Sequence, residues 1–295
     1  MSRVVVVAKQ SLYGRYVDEE QDPHVRLLLE RRDPVVKRWR RAHEEHTRTL
    51  DEVLRVLARS GVHTALVEHP SGEFDTADAD LVVTVGGDGT LLAASHNVAG
   101  VPILGVNSAP SSSLGFFCAA RRDNLAPLLR DALRGKLKSL VLTRMLVTLN
   151  GATRSRRVLN EALFTHFSPA ATSRYILRYG RIQEQQRSSG FWIGPAAGST
   201  GAQHSAGGRM LPLASQRLQL VVREPFDPFE RGYQLLHVLV EPGRRLRVKS
   251  QTEDARLFLD GPYLSLHVRL SDELTFAASD QPLTVLGLSR SRQRQ

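Results

Sequence analysis

L-V-V-T-V-G-G-D-G-T-L-L, residues 81–92, is the stretch on which the fold turns. Leu81, Val82, Val83 and Val85 make a short apolar, β-branched run, the pattern of a buried parallel strand. Gly86 and Gly87 remove side chains at the carboxyl end of that strand, and Thr90 leads into Leu91, Leu92, Ala93 and Ala94, the start of a helical pattern. A strand, a glycine turn and a helix start together present backbone N–H groups to a phosphate. Asp88 is out of place in a pure phosphate cradle, where it would repel the ligand. A carboxylate there serves as a proton acceptor, as a partner for a hydroxyl, or through Mg²⁺; the plainer alternative is that it caps the helix. The run matches neither G-x-G-x-x-G nor G-x-x-x-x-G-K-[ST].

Outward from this turn the chain alternates strands and helices. Val4–Ala8 and Val62–Val67 read as strands, and Pro34–Arg59 reads as a long helix with apolar residues at helical spacing. A helix over Thr90–Asn97 and a strand over Pro102–Val106, ending at Asn107, follow. Leu114–Phe117 is expected to re-enter the core after a small-residue loop, and Leu125–Arg134 to form a helix closed by Gly135. This alternation implies a parallel sheet with ligands at the carboxyl ends of its strands.

Beyond residue 125 the texture changes to short alternating runs separated by turn residues, an all-β pattern. The expected organisation is an α/β domain over 1–125 and a β-rich domain over 126–276. Residues 277–295 would return to the first domain, with a disordered basic tail from Ser289 to Gln295.

Composition sets the limits. The chain has 295 residues, 41% hydrophobic and 24% charged, which is ordinary for a globular protein. One cysteine, Cys118, allows neither an intramolecular disulfide nor a cysteine-based zinc site, and fits a reducing compartment. No apolar run reaches membrane-spanning length, and the apolar part of the N-terminus is too short for a signal peptide, so a cytoplasmic location is expected. The net charge of +10 suits anionic ligands. The basic residues are scattered without interleaved aromatics, so neither nucleic acid nor a membrane is expected as a partner.

Three later stretches carry candidate chemistry. Asn160 and Glu161 put an amide beside a carboxylate near a strand end, or are an ordinary surface pair. Gly190–Gly208 is rich in Gly, Ala, Ser and Thr, and the hydroxyls of Ser199, Thr200 and Ser205 can reach sugar or phosphate. Arg174 and Arg187 flank the strand before this loop and can bind anions. His204 is either a base or a satisfied structural residue. Asp260-Gly261-Pro262 reads most simply as a turn.

Taken together these residues resemble the NAD kinase family. The match comprises G-G-D-G-T at 86–90, G-V-N at 105–107, L-G-F-F at 114–117, N-E at 160–161, G-S-T at 198–200, S-A-G-G at 205–208 and D-G at 260–261. G-G-D-G-T is shared with diacylglycerol and sphingosine kinases, whereas N-E with G-S-T singles out NAD kinases. The wording of S-P-A-A-T-S-R-Y (168–175), R-S-S-G-F-W-I (187–193) and V-V-R-E-P-F (221–226) looks most like the plant-type NADH kinase branch.

The resemblance implies a Rossmann-like α/β N-terminal domain, as in NAD and diacylglycerol kinases, and an all-β, sandwich-like C-terminal domain with a dinucleotide held between them. It implies transfer of the ATP γ-phosphoryl group to the 2′-hydroxyl of the adenosine ribose, with Mg²⁺, by a homodimer or tetramer. Asp88 would be the general base, with Gly87, Gly89 and Thr90 around it. Asn160 and Glu161 would hold the adenosine half; Arg174, Arg187, Ser189, Thr200, Gly201, Ala202 and Ser205 would line the rest. No protein-only metal site is implied. Two positions depart from the commonest bacterial pattern: Ser189 stands where that pattern has Asp, and Ala202 where it has the Tyr of G-S-T-A-Y. Rival readings are a lipid kinase sharing G-G-D-G-T, or a non-catalytic basic nucleotide-binding protein.

Overall fold

The computed structural model describes residues 2–227 and 232–288, so the expected disordered tail lies outside the described residues. The chain divides into two compact units, the first running to Leu140 and resuming at Thr284, the second spanning Val141–Leu283.

The first unit is built on a mostly parallel sheet. Its strands are β1 (Arg3–Ala8), β2 (His63–Val67), β3 (Leu81–Gly86), β4 (Ile103–Asn107), β5 (Cys118–Arg121), β6 (Ser139–Leu142) and β19 (Leu283–Leu286). They lie in the order β2-β1-β3-β4-β19-β6, with β5 beside β4. The helices are α1 (Pro23–Glu30), α2 (Pro34–Arg59), α3 (Asp88–Ser95) and α4 (Leu125–Leu133). β3 is buried along its whole length, as a strand with both faces covered must be, which is why it reads as a continuous apolar run.

Helix α2 starts where Asp33 accepts a hydrogen bond from the Val35 N–H, 2.8 Å, with Pro34 at the first turn. Its inner face buries Val53, Val56 and Leu57 against the sheet, each worth roughly 1.5–3 kcal/mol. The boundary between units falls later than residue 125 because Leu125, Leu129 and Ala132 of α4 belong to this same core. The return to the first sheet begins at Leu283, later than 277. Leu114 is 82% exposed, Gly115 is buried, Phe116 half-buried and Phe117 2% exposed, so the expected re-entry begins after Leu114.

The second unit contains two six-stranded sheets. One has the order β11-β10-β15-β18-β7-β8, comprising β7 (Met145–Leu149), β8 (Ala152–Val158), β10 (Ser173–Tyr179), β11 (Ile182–Ser188), β15 (Arg245–Ser250) and β18 (Glu273–Ala278). The other has the order β14-β13-β12-β9-β16-β17, comprising β9 (Ala162–His166), β12 (Phe191–Pro195), β13 (Leu218–Val222), β14 (His237–Val240), β16 (Asp254–Leu259) and β17 (Leu264–Arg269). One core is shared by both sheets, with Val147, Tyr175 and Phe276 from the first and Phe164, Phe191 and Ile193 from the second. Phe191 stacks on Phe164 at 5.1 Å and meets Tyr175 edge-on at 5.2 Å, a geometry that adds to area burial. This is the expected sandwich. Strands β11 and β18 escape sequence reading because Gln183–Gln186 carries no apolar alternation and β18 sits on a short run after a turn. Among the described residues no helix is long and apolar enough to cross a membrane.

Candidate active site

In the first unit, Asp88 is the first residue of α3 and Gly87 the residue before it, with no side-chain cap on the helix. The carboxylate of Asp88 turns elsewhere: Oδ2 accepts from the Phe116 N–H at 2.8 Å and Oδ1 from the Phe117 N–H at 2.7 Å. Capping is therefore not its role. Each oxygen keeps an unused lone pair, so the carboxylate is held in place yet still able to accept from a hydroxyl. Gly86 has no room for a side chain, since a Cβ there would collide with Thr90 Oγ1. Thr90 is buried, while Gly89 is exposed and borders open space. Asn107 donates from Nδ2 to the Ser113 carbonyl at 2.9 Å, and the Ser108 N–H donates to the Gly86 carbonyl at 3.0 Å. These bonds fasten the 109–117 loop to the glycine turn, which accounts for G-V-N and L-G-F-F appearing with G-G-D-G-T.

In the second unit, Asn160 and Glu161 form the turn between β8 and β9. Asp260 organises this turn. Its Oδ2 accepts from the Leu159 N–H at 2.8 Å, and its Oδ1 from the N–H groups of Asn160 at 2.7 Å and Glu161 at 3.1 Å. Asp260 was legible only as a turn residue; the D-G match at 260–261 was the signal for more. Burial, reinforced by the charge of Asp260, pushes the Glu161 carboxyl up to about 7. Asn160 Oδ1 is buried without a hydrogen-bond partner. A buried amide oxygen left unpaired is costly, and a ligand donor would relieve it. Beneath Asp260, Arg144 is fully buried and donates to the carbonyls of Gln281 (2.5 Å) and Pro282 (3.2 Å). Burial and then the charge of Arg157 bring Arg144 down to about 10, against the opposing charge of Asp260, so it stays cationic at neutral pH.

The G-S-T segment fits against this turn. A Cβ on Gly198 would collide with the Asn160 carbonyl, so only glycine allows the approach. Gln203, in the short helix α5 (Ala202–Ser205), donates to the same carbonyl at 3.3 Å. The Ser199 hydroxyl is spent internally, donating to Ala196 at 2.7 Å and accepting from Leu211 at 2.9 Å, and is no ligand contact. His204 Nδ1 donates to the Gly208 carbonyl at 3.0 Å, which fixes the ring.

Ala202 and Ser205 line a cleft of about 460 Å³ with Trp192, Ala206, Arg223 and Glu224, a size suited to part of a nucleotide. Arg223 lies over the Trp192 ring at 5.8 Å and its carbonyl accepts from the Ser189 N–H at 3.1 Å, which links Ser189 to this cleft. Thr200 is half-buried and Gly201 exposed, just before α5. Arg174 and Arg187 stand on the other sheet, both exposed and directly opposite each other in the β10–β11 register. Like charges so placed repel, and an anion between them would offset that.

A mostly parallel α/β unit whose glycine turn carries a carboxylate in place of a phosphate-binding lysine defines a class of nucleotide-binding protein. Comparison with known proteins narrows it. The profile described as the ATP-NAD kinase N-terminal domain matches residues 4–137. The chain is 34% identical to a probable NADH kinase of Oryza sativa subsp. japonica, over 81% of this chain and 80% of the rice protein. It is 32% identical to an NADH kinase of Arabidopsis thaliana, over 74% and 76%. The fold resembles that of an NAD kinase from Archaeoglobus fulgidus solved with ATP, with a TM-score of 0.69 at 22% identity over 99% of this chain and 96% of that one. It also resembles yeast NADH kinase solved with NADH, at 0.67 and 16%, over 99% and 85%. The chain belongs to the NAD kinase family.

Proposed function

We propose that the protein transfers the γ-phosphoryl group of ATP to the 2′-hydroxyl of the adenosine ribose of NAD⁺ or NADH, giving NADP⁺ or NADPH. The observation that carries this is the Asp88 carboxylate, fixed by two backbone N–H groups at the strand ends and spared from capping the helix. A ribose hydroxyl is a poor nucleophile at neutral pH, and a fixed carboxylate that takes its proton corrects that. The 2′-oxygen forms its bond to the γ-phosphorus, the bond from that phosphorus to the β,γ-bridging oxygen breaks, ADP leaves, and the hydroxyl proton passes to Asp88. Positioning and charge stabilisation do the remaining work in phosphoryl transfer.

Asn160 Oδ1 supplies the acceptor for a donor on the adenosine half, and Glu161 beside it takes a hydroxyl. Arg174 and Arg187 hold phosphate, and Thr200, Gly201, Ala202 and Ser205 border the base and sugar. Mg²⁺ arrives with ATP. Among the described residues no group of three or more His, Cys, Asp or Glu side chains is arranged to hold a metal. An ion bound mainly by the nucleotide phosphates would neutralise charge on the transferring group. Ser189 in place of a carboxylate, and the likeness to plant NADH kinases, support NADH as an acceptor at least as good as NAD⁺. Residence in the cytoplasm, as a homodimer or tetramer, completes the proposal.

A coupled assay for NADP(H) formation, with NAD⁺, NADH and diacylglycerol compared as acceptors, tests it. Formation of NADP⁺ or NADPH is the expected result. Phosphorylation of diacylglycerol alone, or of nothing, refutes it.

A further inference from the structure

The roles above leave Lys9, at the carboxyl edge of the first sheet, unused. Lys9 directly follows β1, and its N–H donates to the Val85 carbonyl at 3.0 Å, so the pairing of β1 with β3 sets it beside Gly86 and the turn that carries Asp88. Ser108, at the end of β4, bonds Gly86 from the other side. Lys9 and Ser108 thus flank the glycine turn.

Helix α2 ties the two flanks together. His46 Nδ1 meets Ser108 Oγ at 2.9 Å, and the ring lies close enough to Lys9 to feel its charge. Thr49 Oγ1 donates to the Ser108 carbonyl at 3.2 Å. Burial, then the charges of Lys9 and His43, hold His46 down at about 4, so the imidazole is a neutral strut at physiological pH.

Lys9 itself is half-buried, and burial lowers its pKa against the opposing charge of Glu45. Glu45 is engaged elsewhere, accepting from Ser111 Oγ at 2.7 Å and pairing with Arg41 at 3.2 Å. Lys9 forms no ion pair with a described carboxylate. A partly desolvated ammonium without a direct counter-charge, beside a glycine turn at the ends of parallel strands, is complementary to a phosphate.

We propose that Lys9 is a phosphate-binding residue for the triphosphate donor, held at the glycine turn by the end of β1 and by the His46–Ser108 strut. The inference rests on the phosphotransferase reading above and adds to it the cation that the glycine turn itself lacks. Lys9 stabilises negative charge on the donor's phosphate oxygens.

The test is calorimetric titration of inorganic triphosphate, and of ATP with Mg²⁺, into wild type, Lys9→Met and Lys9→Arg, with steady-state kinetics alongside. Loss of a charge-assisted contact weakens triphosphate binding by roughly 10-fold or more in Lys9→Met, and Lys9→Arg recovers part of it. KM for ATP rises while KM for the dinucleotide holds. The melting temperature of Lys9→Met stays level or rises, because a partly desolvated charge has been removed; if that variant melts below the assay temperature, Lys9→Gln takes its place. Equal triphosphate affinity in wild type and variant, a wild type that binds no triphosphate, or equal losses toward both substrates overturns the proposal. Triphosphate binding needs no turnover, so a failure of the kinase reading registers separately, in the NADP(H) assay.

Discussion

Replacing Glu161 by Gln should stabilise the protein, and more so in alkali than in acid. Burial, and then the charge of Asp260, raise the folded-state value of Glu161 to about 7 from an ordinary 4.5. A raised carboxylate binds its proton more tightly in the folded chain than in the unfolded one. Its penalty is therefore absent below the ordinary value, grows as pH rises from there to the folded value, and is constant above it. From the two values the penalty is on the order of 1 kcal/mol at pH 5.5 and on the order of 3 kcal/mol at pH 8.5. Glu161 is only half-buried, so screening lowers both figures. Glutamine keeps the shape and carries no charge, and the N–H that donates to Asp260 is unaffected. The stability gain of Glu161→Gln over wild type should then widen by up to about 2 kcal/mol between pH 5.5 and 8.5. Urea denaturation of both proteins at the two pH values, followed by tryptophan fluorescence, measures it. A gain that is flat with pH, or a loss at pH 8.5, refutes the reasoning, because either means the carboxylate is not held at a cost.

Asp88→Asn should lower kcat by roughly 10²–10⁴-fold, the usual worth of a general base; activity within a few-fold of wild type would remove Asp88 from the chemistry. The same change should cost about 1–3 kcal/mol in stability, read by denaturant melts, because an amide nitrogen cannot accept from Phe116 or Phe117. Asn160→Ala should raise KM for the dinucleotide more than for ATP. Gly198→Ala, whose Cβ would push on the Asn160 carbonyl, should do the same; equal effects on both substrates would take this turn out of the acceptor site. Ser189→Asp should shift kcat/KM toward NAD⁺ over NADH. A carboxylate about 6 Å from the oxidised nicotinamide is worth roughly 3 kcal/mol at an effective dielectric near 20, less what the neighbouring Arg223 cancels. An unchanged ratio would place the nicotinamide elsewhere.

The local order of the first unit was legible because it is written in adjacent residues. The β-branched run Leu81–Val85 and the Pro34 start of α2 need no tertiary context to be read, since side-chain period and backbone preference are properties of neighbours in sequence. The grouping of G-G-D-G-T with N-E and G-S-T was enough to point to the family. Where a strand alternates weakly, as in Gln183–Gln186, the signal failed, because pairing with β10 and not its own pattern holds β11 in the sheet.

What only the tertiary structure decided is how each candidate residue spends its polar atoms. In sequence, Asp88 could be a proton acceptor, a hydroxyl partner, a group acting through Mg²⁺ or a helix cap; the fold sends both its oxygens to Phe116 and Phe117. Asp260 read as a turn; the fold brings it to the amides of residues 159–161, a hundred positions earlier in the chain. Ser199 and Thr200 are neighbours with the same hydroxyl chemistry, yet Ser199 is fully buried and internally bonded, while Thr200 keeps part of its surface open. Residue type sets which bonds a side chain can make, but burial and the partners within about 3 Å set which it does make. Those partners come mostly from distant parts of the chain, so no local pattern encodes them.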